Sequence, residues 1–225
     1  MVIMIEFIDP VIRFYQENFY FVSGFHIEYL AKGFQSDILS SFLPILAALP
    51  FASSFIDDLK SKFARFLLFR SNYSTYLVSR IVVCFLAGGL VILSGALITW
   101  GTVATILVPI EREMADMLPI AIDGLIEICF LLFLNGGLWA VVGMAMSTIM
   151  ESKYIAYASP FIIYYLLVIL YERYFRNAWL LYPKNWLDPE IWPYGVGSAA
   201  AFLLELTVLV GIVFYIRGKR RLENL

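Results

Sequence analysis

Five stretches of this 225-residue chain are apolar over close to 20 consecutive residues: Ile38–Ile56, Leu77–Trp100, Pro119–Met146, Tyr154–Tyr171 and Val196–Ile216. A helix crossing a bilayer needs roughly 20 such residues, because about 30 Å of hydrocarbon is covered at about 1.5 Å per residue. The fourth stretch is the shortest, and the third is interrupted by polar side chains. No single soluble core hides this much apolar surface: 61% of the residues are apolar and 15% charged, against about 45–50% and about 25% in an ordinary soluble domain. A mean hydropathy of +0.82 and two cysteines exclude a disordered chain and a disulfide scaffold. The fold expected is all-α, a polytopic transmembrane helical bundle with about five spans. Met1–Ile8 is apolar apart from Glu6 but too short to span, and it lacks the basic start and small-residue cleavage site of a signal peptide.

Orientation follows from where lysine and arginine fall around the spans. The turn Asp57–Arg80, the link at Glu151 and Lys153, and the tail from Arg217 together hold ten basic and four acidic side chains. The opposite side holds six basic and eleven acidic ones, and Asp123, Glu127 and Glu205 fall inside spans. The expected topology places the N-terminus outside and the C-terminus in the cytoplasm. Residues 1–37 form an external aromatic and acidic segment, within which Asn18–Lys32 fits an amphipathic helix. The transmembrane domain covers 38–216, with a cytoplasmic helix in 57–76 and an external loop at 172–195, and 217–225 is a basic cytoplasmic tail. The external loop is dense in tyrosine and tryptophan and reads as an interfacial belt.

Most chemistries lack their residues. No G-x-x-x-x-G-K-[ST] loop is present to cradle a nucleotide phosphate. His26, the single histidine, lies in the external segment, so neither an H-E-x-x-H metalloprotease nor a serine–histidine hydrolase can be assembled. One histidine and two isolated cysteines, Cys84 and Cys129, supply no haem, iron–sulfur or zinc ligand set, and the cysteines read as buried thiols. A net charge of -2 argues against nucleic acid as a partner. The expectation is a protein without catalytic residues, metal or cofactor of its own. Transport or a structural role in the membrane remains.

The most informative stretch is Ser41–Arg80. An apolar span containing Pro44 and Pro50 runs into Asp57 and Asp58, then a basic amphipathic segment, then Ser71-Asn72-Tyr73 and the next span. Phe55, Leu59, Phe63, Phe66 and Arg70 recur at helical spacing, which suits a helix lying along a surface such as anionic lipid. The order of these residues resembles the permease subunits of ABC exporters of the type 2 permease family, those of Gram-positive bacteria most closely. It runs Phe42-Leu43-Pro44-Ile45-Leu46-Ala47-Ala48-Leu49-Pro50, the acidic pair, a basic helix, Arg70, a Ser/Asn turn, and Tyr76-Leu77-x-Ser79-Arg80.

In that family the helix between the second and third spans docks on an ATP-binding subunit and relays its closure. The resemblance implies that Asp57, Asp58, Lys60, Phe63, Arg65, Arg70 and Tyr76 lie at or beside this coupling surface. It further implies ATP and Mg bound by a separate ATP-binding cassette subunit, a second permease subunit, identical or different, and a bacterial plasma membrane. The segment Leu181–Pro189 stands where the family carries an external loop segment. The family usually has glycine after the acidic pair, where this chain has Lys60-Ser61-Lys62. It also usually has six spans and a cytoplasmic N-terminus, so the span missing here would be the first, with Met1–Ile8 as its outer end.

Asp123 and Glu127 are four apart and share one face of the third span, and Glu205 lies near the middle of the last. A carboxylate at a helix centre costs about 2.5–3.5 kcal/mol on insertion scales, so Glu127 and Glu205 are expected to line a pathway or join helices. Asn135-Gly136-Gly137 predicts a kink or a close helix contact, and Gly88, Gly89, Gly95, Gly143, Ser147, Gly197 and Ala201 suit helix packing. The function expected is the permease subunit of an ATP-driven exporter moving an amphipathic peptide, lipid or drug by alternating access. The alternatives are an ion- or proton-coupled secondary carrier using Asp123, Glu127 and Glu205, or an immunity or scaffold protein that transports nothing.

Overall fold

A computed structural model describes residues 21–22, 24–61, 63, 72–109, 111–112 and 123–223. Among the described residues seven helices follow one another: α1 (Phe25–Phe34), α2 (Asp37–Ala48), α3 (Ser54–Lys60), α4 (Tyr73–Leu107), α5 (Asp123–Met150), α6 (Lys153–Arg173) and α7 (Val196–Glu223). Between α6 and α7 lie three 3-10 turns, Trp179–Leu181, Pro183–Leu187 and Pro189–Ile191. Two two-residue strands, Phe21–Val22 and Glu111–Arg112, pair in parallel beside this all-α bundle. Helices α4, α5, α6 and α7 are each long and apolar enough to cross a membrane. The chain is thus a multi-pass membrane protein.

Helix α5 is the hub. Its apolar window is 72% buried, against 22–33% for the other three long helices, and it packs against α4, α7, α6 and α2. Helix α1 lies over α4 and α5 and buries Ile27, Leu30 and Phe34, so the amphipathic reading of Asn18–Lys32 holds from Phe25 on, shifted toward Phe34.

The expected span Ile38–Ile56 is not one helix. It divides into α2 and α3 around Leu49–Ser53, where Pro50 has no N–H to continue the ladder. The two pieces nevertheless traverse the depth of the bundle antiparallel to α6. Asp37 meets Lys184 just beyond the end of α6 at 2.7 Å, and Ser40 Oγ meets Tyr164 Oη at 2.8 Å. Further along, Tyr157 Oη donates to Ser53 Oγ at 2.9 Å, and Lys153 Nζ donates to Asp57 at 3.0 Å. The break itself is packed with small residues: Ala48, Ala52 and Ala156 are fully buried together. Ser147 Oγ donates to Met144 O at 2.8 Å and reaches Ala52 O at 3.5 Å.

Glycines set how closely the helices approach. A Cβ at Gly88 of α4 would lie 2.4 Å from the Ala140 Cβ of α5, and one at Gly136 would lie 2.8 Å from Ile92 Cγ1 and 3.0 Å from Gly88 O. Gly137 meets the Phe85 ring in the same way, so Asn135-Gly136-Gly137 is a contact within an unbroken helix. Gly143 faces Ala156 O, the carbonyl that Pro160 of α6 cannot bond. Gly95 and Gly197, by contrast, have nothing within 4 Å and Ala201 is exposed, so these three do not serve the packing expected of them.

One end of the bundle is closed by the three 3-10 turns. Trp186 and Trp192 are buried rather than spread along a membrane surface, which corrects the reading of this whole loop as an interfacial belt. Trp186 stacks on Trp139 of α5 at 5.8 Å and donates its Nε1 proton to Leu180 O. Trp192 packs on Phe202 of α7 and donates to Asn185 O, and Asn185 donates to Trp179 O. The indole N–H groups of Trp186 and Trp192 both find acceptors inside the loop, so these aromatic bodies can enter the core. Only Tyr174, Phe175 and Tyr194 keep large exposed rings suited to an interface. Although burial opposes its charge, Lys184 is pushed above its ordinary pKa by hydrogen bonds with Asp37 and Tyr182, which fastens this cap to the start of α2.

Gly136→Leu should therefore lower stability to chemical denaturation by about 1–3 kcal/mol or more, as overpacking does. Gly95→Leu, on an open face, should change it by less than about 0.5 kcal/mol. Comparable losses in the two purified variants would refute the packing role of Gly136.

Candidate functional site

The opposite end of the bundle carries a network of ion pairs. It is built where α3 ends, α4 begins, α5 turns into α6 and α7 finishes. The acidic pair at the C-terminal half of α3 is consecutive, so its two carboxylates diverge by about 100° around the helix and reach different neighbours.

Asp57 turns toward α6. It accepts from Lys153 Nζ at 3.0 Å and from Ser53 Oγ at 2.9 Å, and Tyr157 of α6 donates in turn to that serine. Partial burial works against ionisation, yet these two hydrogen bonds and the nearby lysines hold the Asp57 carboxyl below the ordinary carboxylate range. Asp58 turns toward α4. It accepts from Tyr76 Oη at 2.6 Å and from the Arg80 guanidinium, both side chains of this ion pair being under a fifth exposed. Tyr76 and Arg80 are four apart on one helix face, and the guanidinium stacks 5.2 Å from the Tyr76 ring centroid. One carboxylate thus ties α3 to α6 and the other ties it to α4.

Apolar contacts reinforce the same joint. Phe55 is fully buried, 5.0 Å from the Phe214 ring of α7 in an edge-on arrangement and 6.3 Å from Tyr76. Its place corrects the expected surface stripe, since Phe55 points into the bundle and, of the described members of that series, only Phe63 stands out, half exposed. Leu59 is partly buried against this cluster. The link between α5 and α6 is anchored to α7 by an ion pair of Glu151 with Arg221, which also donates to Ile149 O at 3.3 Å. Glu151 sits at φ 55, a left-handed conformation that a two-residue turn between antiparallel helices demands.

The expected coupling residues therefore sort by direction. Asp57, Asp58 and Tyr76 are joined to the spans and are not free for an outside partner, whereas Lys60 and Phe63 face outward. Arg65, Phe66 and Arg70 lie outside the described residues. Sequence reasoning missed Ser53, Lys153, Tyr157 and Arg80 as partners of the acids. The i, i+4 spacing of Tyr76 and Arg80 was the one local signal available.

The expected membrane polar residues do not converge. Asn135 is buried on α5 with no hydrogen-bond partner for its Oδ1 among the described residues. Glu127 and Glu205 are both exposed on the outside of the bundle, so they do not line an interior path within this chain. Asp123 begins α5, and its side chain lies outside the described set. No three His, Cys, Asp or Glu side chains come together as metal ligands among the described residues, and Cys84 and Cys129 are free thiols.

Asp58→Asn should lower stability by about 3 kcal/mol, because it leaves the mostly buried Arg80 without its counter-charge. Asp57→Asn, at a largely exposed pair, should cost less than about 1 kcal/mol. Chemical denaturation of the purified variants measures the difference, and equal losses would contradict this division of roles. Comparisons of the chain with protein-family models, with curated proteins and with solved structures find no match.

Proposed function

We propose that this chain is the membrane subunit of an ATP-driven exporter, of the kind found in the ABC type 2 permease family. In this reading it sits in a bacterial plasma membrane with its basic end in the cytoplasm. It pairs with a second membrane subunit and with ATP-binding subunits that hold ATP and Mg. It moves an amphipathic substrate, a peptide, lipid or drug, by alternating access. The observation that carries the proposal is the divergent acidic pair: α3 is bound through Asp57 to α6 and through Asp58 to α4, and ends in the outward-facing Lys60, with Phe63 exposed three residues on. A push on the outward residues reaches two spans at once, which is what a relay from a partner requires.

The residues divide the work accordingly. Lys60, Phe63, Arg65 and Arg70 meet the ATP-binding subunit, while Asp57, Asp58 and Tyr76 pass its displacement into the bundle. The chain itself performs no bond chemistry. The carrier alternative loses ground because Glu127 and Glu205 lie on outward surfaces and share no interior site.

Co-expression with a cognate ATP-binding subunit tests the proposal. Phe63→Ala with Arg65→Ala should lower substrate-stimulated ATP hydrolysis at least about tenfold, the factor that corresponds to about 1.4 kcal/mol of coupling. Membrane insertion and thermal stability of the permease should stay unchanged. Full stimulation in the double variant, or uptake that follows the proton gradient and ignores ATP depletion, would reject the exporter reading.

A further inference from the structure

The stretch from Arg217, expected as a basic tail, is the last part of α7, which stays helical to Glu223. Its turns are seated on the joint around α3. Leu222 is buried in one cluster with Phe55, Ile56 and Tyr76, and a Cβ at Gly218 would lie 2.8 Å from Leu77 Cδ2 and 3.4 Å from Phe55 Cζ. Of the four cations here, Arg217, Lys219 and Arg220 are exposed, whereas Arg221 is partly buried and reaches the end of α5.

The turn between α5 and α6 does little to hold itself. Helix α5 has no basic side chain in its own last turn, and Ser152 starts α6 without a side-chain cap hydrogen bond. Glu151 sits at φ 55, a backbone region that is costly for a residue with a side chain. The carbonyls that end a helix need donors from outside it. Arg221 supplies one by donating to Ile149 O, and it pairs with Glu151 in the same turn. Glu151 and Ser152 alone separate the two helices, and the next residue is Lys153, the partner of Asp57. A link this short has no slack, so where Arg221 sets Glu151 decides where Lys153 meets α3.

We propose that the last turn of α7 is a releasable lock on α3: Arg221 positions the α5–α6 turn, and through it the Lys153 ammonium that holds Asp57. The arm through Asp58 is different in kind. Both of its charges are under a fifth exposed, whereas the side chains of Arg221 and Glu151 are 36% and 62% exposed. One arm of the joint is thus fixed, and the other is governed from α7. That the lock sets how firmly the joint passes on a push rests on the exporter reading. The lock itself does not, and its test uses the chain alone, so its failure would leave that reading standing.

Hydrogen exchange of the full-length chain in phosphatidylcholine nanodiscs, followed by mass spectrometry on peptides covering α3, provides the test. Arg221→Gln should speed exchange in Ser54–Lys60 at least about tenfold and leave Asp37–Ala48 within about twofold, since local opening need not follow global unfolding. Arg221→Lys, which keeps the charge, should restore most of the protection. Lys219→Gln, in the same turn but facing outward, should change nothing. In an Asp57→Asn background the effect of Arg221→Gln should vanish, because changes along one route do not add. Exchange in α3 unaltered by Arg221→Gln would overturn the proposal. So would an acceleration that persists in the Asp57→Asn background, which would assign the effect to the packing of Leu222, or one that spreads equally to α2, which would mark a general loss of stability.

Discussion

Two helices in a bilayer gain nothing by hiding apolar side chains from lipid that is equally apolar, so close packing has to supply the attraction. In this protein that demand falls on the crossing of α4 and α5, where Gly88, Gly89, Gly136 and Gly137 bring the two backbones together. Everything else is arranged around α5 once that crossing is made. Helix α6 approaches α5 through Gly143, and α7 covers a third side. The divided segment α2–α3 then fills the remaining gap with alanines at its break.

The division of α2 from α3 is what makes the acidic pair useful. An unbroken helix through 38–56 would carry α3 along the axis of α2, whereas the turn at Leu49–Ser53 lets α3 pack Phe55 independently against Tyr76 and Phe214. Asp57 and Asp58 can then reach separate helices. Exchange of either acid for its amide would alter one connection and leave the other, so the two arms of the joint are separable in a way that a single multivalent cluster would not be.

Much of the architecture was legible in the sequence because length and hydropathy act locally. The four long helices contain the runs Leu77–Trp100, Tyr154–Tyr171 and Val196–Ile216 whole, and most of Pro119–Met146. Pro50 was visible but its effect was not, since Pro44 and Pro160 both sit inside helices that continue through them. What decides among prolines is whether neighbouring helices leave room for the chain to turn. The site was legible in its acids and not in their partners, because Lys153 and Tyr157 lie about 100 positions away in sequence. Glycines gave a mixed return for the same reason: Gly88 and Gly95 look alike in the sequence, yet only one faces another helix. The tryptophans of the loop between α6 and α7 read as an interface by composition. Inward turning of Trp186 and Trp192 depended on carbonyls from their own loop that no periodicity announces.

The two closures of the bundle differ in what holds them. At one end indole rings stack and donate to backbone carbonyls, with one ion pair, Lys184–Asp37, beside them; at the other Lys153 with Asp57 and Arg221 with Glu151 are partly exposed ion pairs. Dissolved ions shorten the reach of exposed charges to about 8 Å at physiological strength and to about 3 Å at 1 M, and leave stacked rings untouched. Salt therefore acts on both closures, through Lys153–Asp57 and Arg221–Glu151 at one and through Lys184–Asp37 at the other. The ionic milieu sets how stiffly α3 is held, whereas at the aromatic end it reaches one ion pair and leaves the indole contacts in place.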